Sequence, residues 1–312
     1  MDLSEEVKDL IERVNEANLQ RIETYPPAEA RVEFRRRMKI LEIPPCTIFK
    51  SIDINIPSES SPIHARLYLY SEDISDPLAV FAHGGGWVLG GIEEYDSFCR
   101  RLSNFGKCAV LSVGYRLAPE NPHPAGLQDV MSAFSYVPYL IASQNISPKR
   151  ILGVGDSAGG NLIANSSILL EKKVRPTQQI LIYPVIDVTK KRGSYQKFGK
   201  GFLLDSDMMD WFINSYVGNS ELEDPSISVI LSKNLSLSPT TFILTAGLDP
   251  LQDEAIDYVD ELKKNSVSVI HSHYESMLHG FLGMPKALSL SKNAFCEIGD
   301  WIYNFNTNNK KT

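Results

Sequence analysis

Ser157 stands in Gly155-Asp156-Ser157-Ala158-Gly159-Gly160, and His83-Gly84-Gly85-Gly86-Trp87 lies well upstream of it. A serine flanked by small residues suits a sharp bend from strand to helix that leaves its hydroxyl projecting. That hydroxyl attacks a carbonyl productively only if backbone N–H groups already point at the oxygen that becomes negative, and a glycine run lets the backbone approach a ligand closely. Together the two motifs imply acyl-transfer chemistry.

A serine is a weak nucleophile until a base takes its proton, and that base needs a partner to fix its tautomer. Six histidines are available: His64, His83, His123, His271, His273 and His279. His64 lies opposite Ile63, Ala65, Leu67 and Leu69 in an alternating run, as a surface strand residue does. His271 and His273 alternate along a strand pattern and could form a ligand pair, but no clear further ligands accompany them, so no metal site is expected. His279 follows that pattern after Glu275-Ser276-Met277-Leu278, read as a short loop, which places it at the carboxyl edge of a sheet where open α/β folds build their sites. For the acid, Asp249 comes just past the apolar run Phe242-Ile243-Leu244-Thr245-Ala246, and Pro250 suits a helix start. Asp253 and Glu254 then fall in the first helical turn as dipole-complementing charges. The alternative role for Asp249 is that of helix N-cap. The chain order Ser157, Asp249, His279 is that of an α/β-hydrolase.

The elements that must position these residues are legible in outline. Ile151-Leu152-Gly153-Val154 reads as a buried parallel strand and Ala158 to Leu170 as a helix, giving strand, elbow, helix. Val7 to Ile22 shows helical spacing up to Pro26-Pro27, and a second helix runs from about Ala28 to Ile40. Ile52 to Ile56 and Ile63 to Leu69 alternate as an antiparallel edge. Apolar runs then recur at Leu78 to Ala82, Ala109 to Val113, Ile180 to Ile182, Phe242 to Ala246 and Val267 to Tyr274, the rhythm of a mostly parallel, twisted sheet flanked by helices. The stretch from about 188 to 223 breaks that rhythm. There Ser206 can cap a helix carrying Met209, Trp211, Phe212 and Tyr216, with Phe202 grouped among its large side chains. It reads either as a cap over the site or as a surface helix packed on the core.

These motifs resemble the hormone-sensitive-lipase branch of the α/β-hydrolases, the group of bacterial carboxylesterases and acetyl esterases. The resemblance rests on His83-Gly84-Gly85-Gly86-Trp87-Val88-Leu89-Gly90, Tyr115-Arg116-Leu117-Ala118-Pro119-Glu120, Gly155-Asp156-Ser157-Ala158-Gly159-Gly160, Asp249-Pro250-Leu251-Gln252-Asp253-Glu254 and His279-Gly280-Phe281, in that order. It implies an α/β-hydrolase core at 46–312, with a helical cap built from residues 1–45 and the insert at about 188–223. It also implies Ser157 as nucleophile, His279 as base, Asp249 as its orienting acid, and the N–H groups of Gly85, Gly86 and Ala158 as the oxyanion hole. His83, Gly84 and Asp156 would support that loop. One departure is His123 in Asn121-Pro122-His123-Pro124, where the family often has an aromatic, and it bears on the packing of this loop. The implied activity is hydrolysis of short- to medium-chain carboxylic esters, with neither cofactor nor metal. An amidase or deacetylase with the same triad, or a ligand receptor on the same scaffold, stays open.

Composition agrees with a globular enzyme. Of 312 residues 43% are hydrophobic, enough for a large core, and a net charge of -7 argues against a nucleic-acid partner. Arg35-Arg36-Arg37 and Lys190-Lys191-Arg192 read as solvated segments. The four cysteines show no CxxC spacing, the first residues are acidic, and no apolar stretch approaches a membrane span, which together point to a cytoplasmic protein. A small-molecule ester is the expected partner, and a homo-oligomer is compatible with the sequence.

Overall fold

The computed structural model describes residues 3–72, 77–144 and 146–308. Helices α1 (Glu5–Glu16) and α2 (Pro27–Leu41) open the chain, joined through a 3-10 turn at Ile22–Thr24. Strands β1 (Lys50–Ile56) and β2 (Ile63–Leu69) follow. Then come β3 (Leu78–Ala82), α3 (Asp96–Gly106), β4 (Ala109–Val113), α4 (Ala125–Gln144), β5 (Ile151–Asp156), α5 (Ala158–Leu169) and β6 (Gln178–Ile182). After β6 the chain forms α6 (Gly193–Phe198) and α7 (Ser206–Val217) before returning to the sheet with β7 (Thr240–Leu248), α8 (Gln252–Lys264), β8 (Val269–Leu278) and α9 (Leu290–Asn308).

The eight strands form one sheet in the order β1-β2-β4-β3-β5-β6-β7-β8. The β1–β2 and β2–β4 pairings are antiparallel and the rest parallel, as the apolar runs implied. Alternate strand residues feed two separate cores. Val80, Leu111 and Ile243 pack with α4, α5 and α8, whereas Phe81, Val110 and Phe242 pack with α3 and α9. At roughly 1.5–3 kcal/mol for each fully buried large aliphatic or phenylalanine side chain, these two layers supply the main force holding the sheet between its helices.

Several boundaries differ from the hydropathy pattern. Helix α1 stops at Glu16, because Asn18 turns left-handed at φ 43°, and Leu19 beyond it is 43% exposed. Strand β8 runs through Leu278, so there is no 275–278 loop and His279 follows the strand directly. The pairing that carries β8 so far has a register shift between Ala246 and Leu248. Gly247 makes this bulge feasible, since a Cβ there would fall 2.1 Å from the Glu275 carbonyl oxygen. Phe202 lies ahead of α7 rather than in it, its ring edge-on to Phe198. Arg192 is no solvated residue: its side chain is 9% exposed and pairs with Asp187 at 2.9 Å and Asp257 at 2.6 Å. No helix among the described residues is long and apolar enough to cross a membrane.

Candidate active site

Strand β5 delivers Asp156 and Ser157 to the carboxyl edge of the sheet, and α5 begins at the next residue. Ser157 adopts φ 53° and ψ -120°, a conformation that costs on the order of 1–3 kcal/mol and persists only where surrounding bonds impose it. Here the Ser157 N–H donates to the Ile182 carbonyl at 2.8 Å, and its own carbonyl accepts from Val185 at 3.2 Å. The hydroxyl is thereby held at the tip of the bend.

The structure brings Ser157, His279 and Asp249 together from three separate sheet connections. His279 Nε2 lies 2.9 Å from Ser157 Oγ, and His279 Nδ1 lies 2.7 Å from Asp249 Oδ2. Because a carboxylate only accepts, Nδ1 carries the proton and Nε2 is free to accept from the serine hydroxyl. Asp249 is 1% exposed, and its second oxygen accepts from the Leu251 N–H at 2.8 Å, so it orients the histidine and closes the turn into α8 at once. The Tyr183 ring, centred 4.8 Å from the imidazole, backs His279 on one side.

Opposite stands the glycine loop. Gly85 and Gly86 have φ of +100° and +60°, and the Leu89 N–H donates to the Gly85 carbonyl at 2.8 Å, closing a tight turn. Among the described residues, the N–H groups of Gly85, Gly86 and Ala158 donate to no protein acceptor. Unsatisfied backbone donors beside a serine hydroxyl are an arrangement able to hold a developing negative charge.

Asp156 ties this loop to the elbow. Its Oδ1 accepts from the Gly84 N–H at 2.8 Å and its Oδ2 from the Tyr95 hydroxyl at 3.0 Å, while burial pushes its carboxyl up to about 6. His83 donates from Nδ1 to the Gly84 carbonyl at 2.8 Å, and burial holds its pKa down at about 4, so it is a neutral brace at pH 7. The Tyr115 hydroxyl donates to the His83 carbonyl at 2.7 Å, and the two rings stack at 4.3 Å. From α2, the Arg31 guanidinium donates to the Val88 and Ala118 carbonyls, each at 2.8 Å, and to both Glu120 oxygens. Tyr95 and Arg31 escaped the sequence reading. Each contacts a partner tens of residues away and carries no local signature.

The remaining histidines lie outside this cluster. His271 Nε2 and His273 Nδ1 both sit 2.8 Å from Thr245 Oγ1 on the β8 edge, and no group of three or more His, Cys, Asp or Glu among the described residues is placed to hold a metal. Asp253 and Glu254 both fall in the first turn of α8, as expected, but Glu254 does more than face the helix dipole. It is fully buried, and its Oε1 accepts from the Ile186 and Asp187 N–H groups at 2.8 and 3.3 Å. Asp253 instead accepts from the Ser194 N–H at 2.7 Å.

A family model described as alpha/beta hydrolase fold matches residues 79–283, and the chain belongs to that family. The hormone-sensitive-lipase resemblance seen in the motifs agrees with its relatives. It is 39% identical over 242 residues to the carboxylic ester hydrolase LipN of Mycobacterium tuberculosis, a match that spans 74% of this chain and 64% of that one. Among solved structures, an ester hydrolase from the metagenome of Lake Arreo, complexed with a bipyridine phosphonate derivative, aligns with a TM-score of 0.91 at 32% identity. That alignment covers 96% of this chain and 98% of the other. The hyperthermophilic esterase of Pyrobaculum calidifontis aligns with a TM-score of 0.90 at 32% identity, covering 97% and 98%.

Proposed function

We propose that this chain is a serine carboxylesterase that hydrolyses short- to medium-chain carboxylic esters through an acyl-enzyme. The observation that carries the reading is His279 held between Ser157 Oγ and buried Asp249, facing three unpaired backbone donors. Ser157 Oγ bonds to the ester carbonyl carbon as its proton passes to His279 Nε2, and the carbonyl electron pair moves to oxygen. The N–H groups of Gly85, Gly86 and Ala158 receive that oxyanion. Collapse breaks the carbon–alkoxide bond, the leaving oxygen takes the proton from Nε2, and an alcohol departs. Water then repeats the sequence against the acyl-enzyme, with Nε2 taking its proton and returning it to Ser157 as the carboxylic acid leaves. Every step is served by these groups alone.

In this reading residues 1–45 and about 188–223 form a cap on the core at 46–312. Support comes from the contacts both segments make with the glycine loop, Arg31 from the first and the aromatics of α7 from the second. A cytoplasmic site of action goes with the reading, supported by four cysteines that show no CxxC spacing. A closed pocket gains about 0.8 kcal/mol per buried methylene until steric limits intervene, so kcat/KM should peak between acetate and hexanoate and fall at dodecanoate by at least about tenfold. The test is a p-nitrophenyl ester series run beside Ser157→Ala. The Ala variant should fold and lose about five orders of magnitude in kcat, and an organophosphonate should label Ser157 alone. Label on another serine, or comparable turnover without Ser157, would remove the assignment.

A further inference from the structure

Helix α7 rests on the glycine loop through two aromatics. Tyr216 in its last turn stacks on Trp87, ring centroids 4.2 Å and planes 5° apart. One turn earlier Phe212 lies flat against Gly86, where an added Cβ would fall 2.1 Å from the ring. Only glycine leaves room for that approach. The position of α7 along its axis therefore decides which part of the loop the Phe212 ring covers.

What fixes that position is polar. Tyr216 is 1% exposed, so its hydroxyl needs a partner, and it finds His123 Nδ1 at 3.2 Å. On the far side of the imidazole, Nε2 lies 3.0 Å from Ser226 Oγ, and Ser226 donates to Asp224 Oδ1 at 2.6 Å. A hydroxyl has one proton; since that of Ser226 goes to Asp224, Ser226 must accept from His123 Nε2–H. In the neutral ring this leaves Nδ1 bare, and Tyr216 must be the donor. The direction of the relay is thus determined, Tyr216 to His123 to Ser226 to Asp224. Burial lowers the His123 pKa, which favours the neutral ring that the relay needs. The backbone repeats the link, with the His123 N–H donating to the Tyr216 carbonyl at 2.7 Å. A hydrocarbon ring at position 123 would offer Tyr216 no acceptor.

We propose that His123 and Tyr216 form a specificity-determining latch, holding α7 in the register that keeps Phe212 over Gly86 and so limiting the length of acyl chain the site accepts. This rests on the esterase reading, because Gly86 must border the bound ester. With the latch broken, α7 keeps its aromatic packing but can slide, and the wall over the glycine loop recedes.

The experiment compares wild type with Tyr216→Phe, His123→Phe and the double variant on p-nitrophenyl butyrate and decanoate, with urea midpoints as a check on folding. Both single variants retain a ring at the altered position. We expect each to raise the decanoate-to-butyrate ratio of kcat/KM at least about fivefold, the double variant to do no more than either single, and the effect to fall mainly on KM for decanoate. A general loss of structure would instead lower both substrates together. Ratios within twofold of wild type, or single effects that multiply in the double variant, would overturn the latch. Should the aromatic variants fail to fold, Asp224→Ala at the solvent end decides, since it removes the acceptor that fixes the Ser226 proton, and the Asp224 side chain is 41% exposed. A ratio raised at least about twofold supports the relay, and an unchanged one removes it. Wild-type protein inactive on both esters would sink the esterase reading first, a result distinct from an active enzyme whose ratios do not move.

Discussion

Burial disfavours the charge on Asp156, yet the residue accepts from two donors that have no other acceptor among the described residues, the Gly84 N–H and the Tyr95 hydroxyl. Leaving such groups unpaired costs about 1–3 kcal/mol, and here the cost falls on the loop that carries Gly85 and Gly86. Asp156→Ala should therefore lower kcat about ten- to a hundredfold with KM changed little. Asp156→Asn, which keeps one acceptor, should recover most of the loss. Steady-state kinetics on one short ester decide it, and a kcat within twofold of wild type in a well-folded Ala variant would show that the loop holds its shape unaided. The residues of the two motifs were readable in the chain because their demands are local: a bend at Ser157, close backbone approach in the glycine run. Asp156 as a brace was readable too, since it sits inside the elbow. Tyr95, 61 positions away, was not, and neither was the pairing of His123 with Tyr216 across 93 positions, because hydropathy and spacing carry no record of which distant side chains meet.

Strands buried on both faces announce themselves as apolar runs, and for that reason β3 and β4 begin and end where the runs do. Where a strand extends through polar residues the pattern falls silent, so the carboxyl half of β8, with Glu275 and Ser276, reads as loop although it pairs with β7 as far as Leu278. Helix α2 poses the opposite problem. Ala30 is its one buried side chain, with Phe34 packed partly buried beside it, so apolar burial holds it weakly. Its docking rests on Arg31, whose planar fork reaches the Val88 and Ala118 carbonyls and the Glu120 carboxylate together, and on the Arg35–Glu94 pair. The exposed Glu120 contact contributes little by itself, but the bond to Val88 steadies the turn that presents Gly85 and Gly86. Arg31→Ala should lower kcat about three- to tenfold and the melting temperature by a few degrees. Arg31→Lys should recover only part, because an ammonium cannot span three planar acceptors. Unchanged kcat in the Ala variant would mean that α2 is a passenger on the core.

At the scale of the whole molecule, the insert after β6 is fastened to α8, the helix that follows Asp249, through polar groups, most of them buried. Glu254 accepts from the Ile186 and Asp187 N–H groups, and Arg192 bridges Asp187 and Asp257. The Glu254 carboxyl is pushed by burial from 4.5 up to about 8, against the pull of those amides and of Arg192, while its Oε2 has no partner among the described residues. A carboxyl whose folded pKa is raised takes up a proton on folding. Between about pH 4.5 and 8 the native state then binds more protons than the unfolded chain, and stability falls as pH rises through that window. The contribution is fully present below about pH 4.5 and is lost above about pH 8. Glu254→Gln keeps the oxygen that the two amides need and removes the titration. Urea unfolding measured from pH 5 to 8.5 should show wild type losing on the order of 3 to 5 kcal/mol relative to the Gln variant across the range. Other titrating groups affect both proteins alike and cancel in that difference. Parallel curves would mean that Glu254 stays ionised in the fold. In that case the charge of Arg192, rather than a shared proton, is what holds the insert against α8.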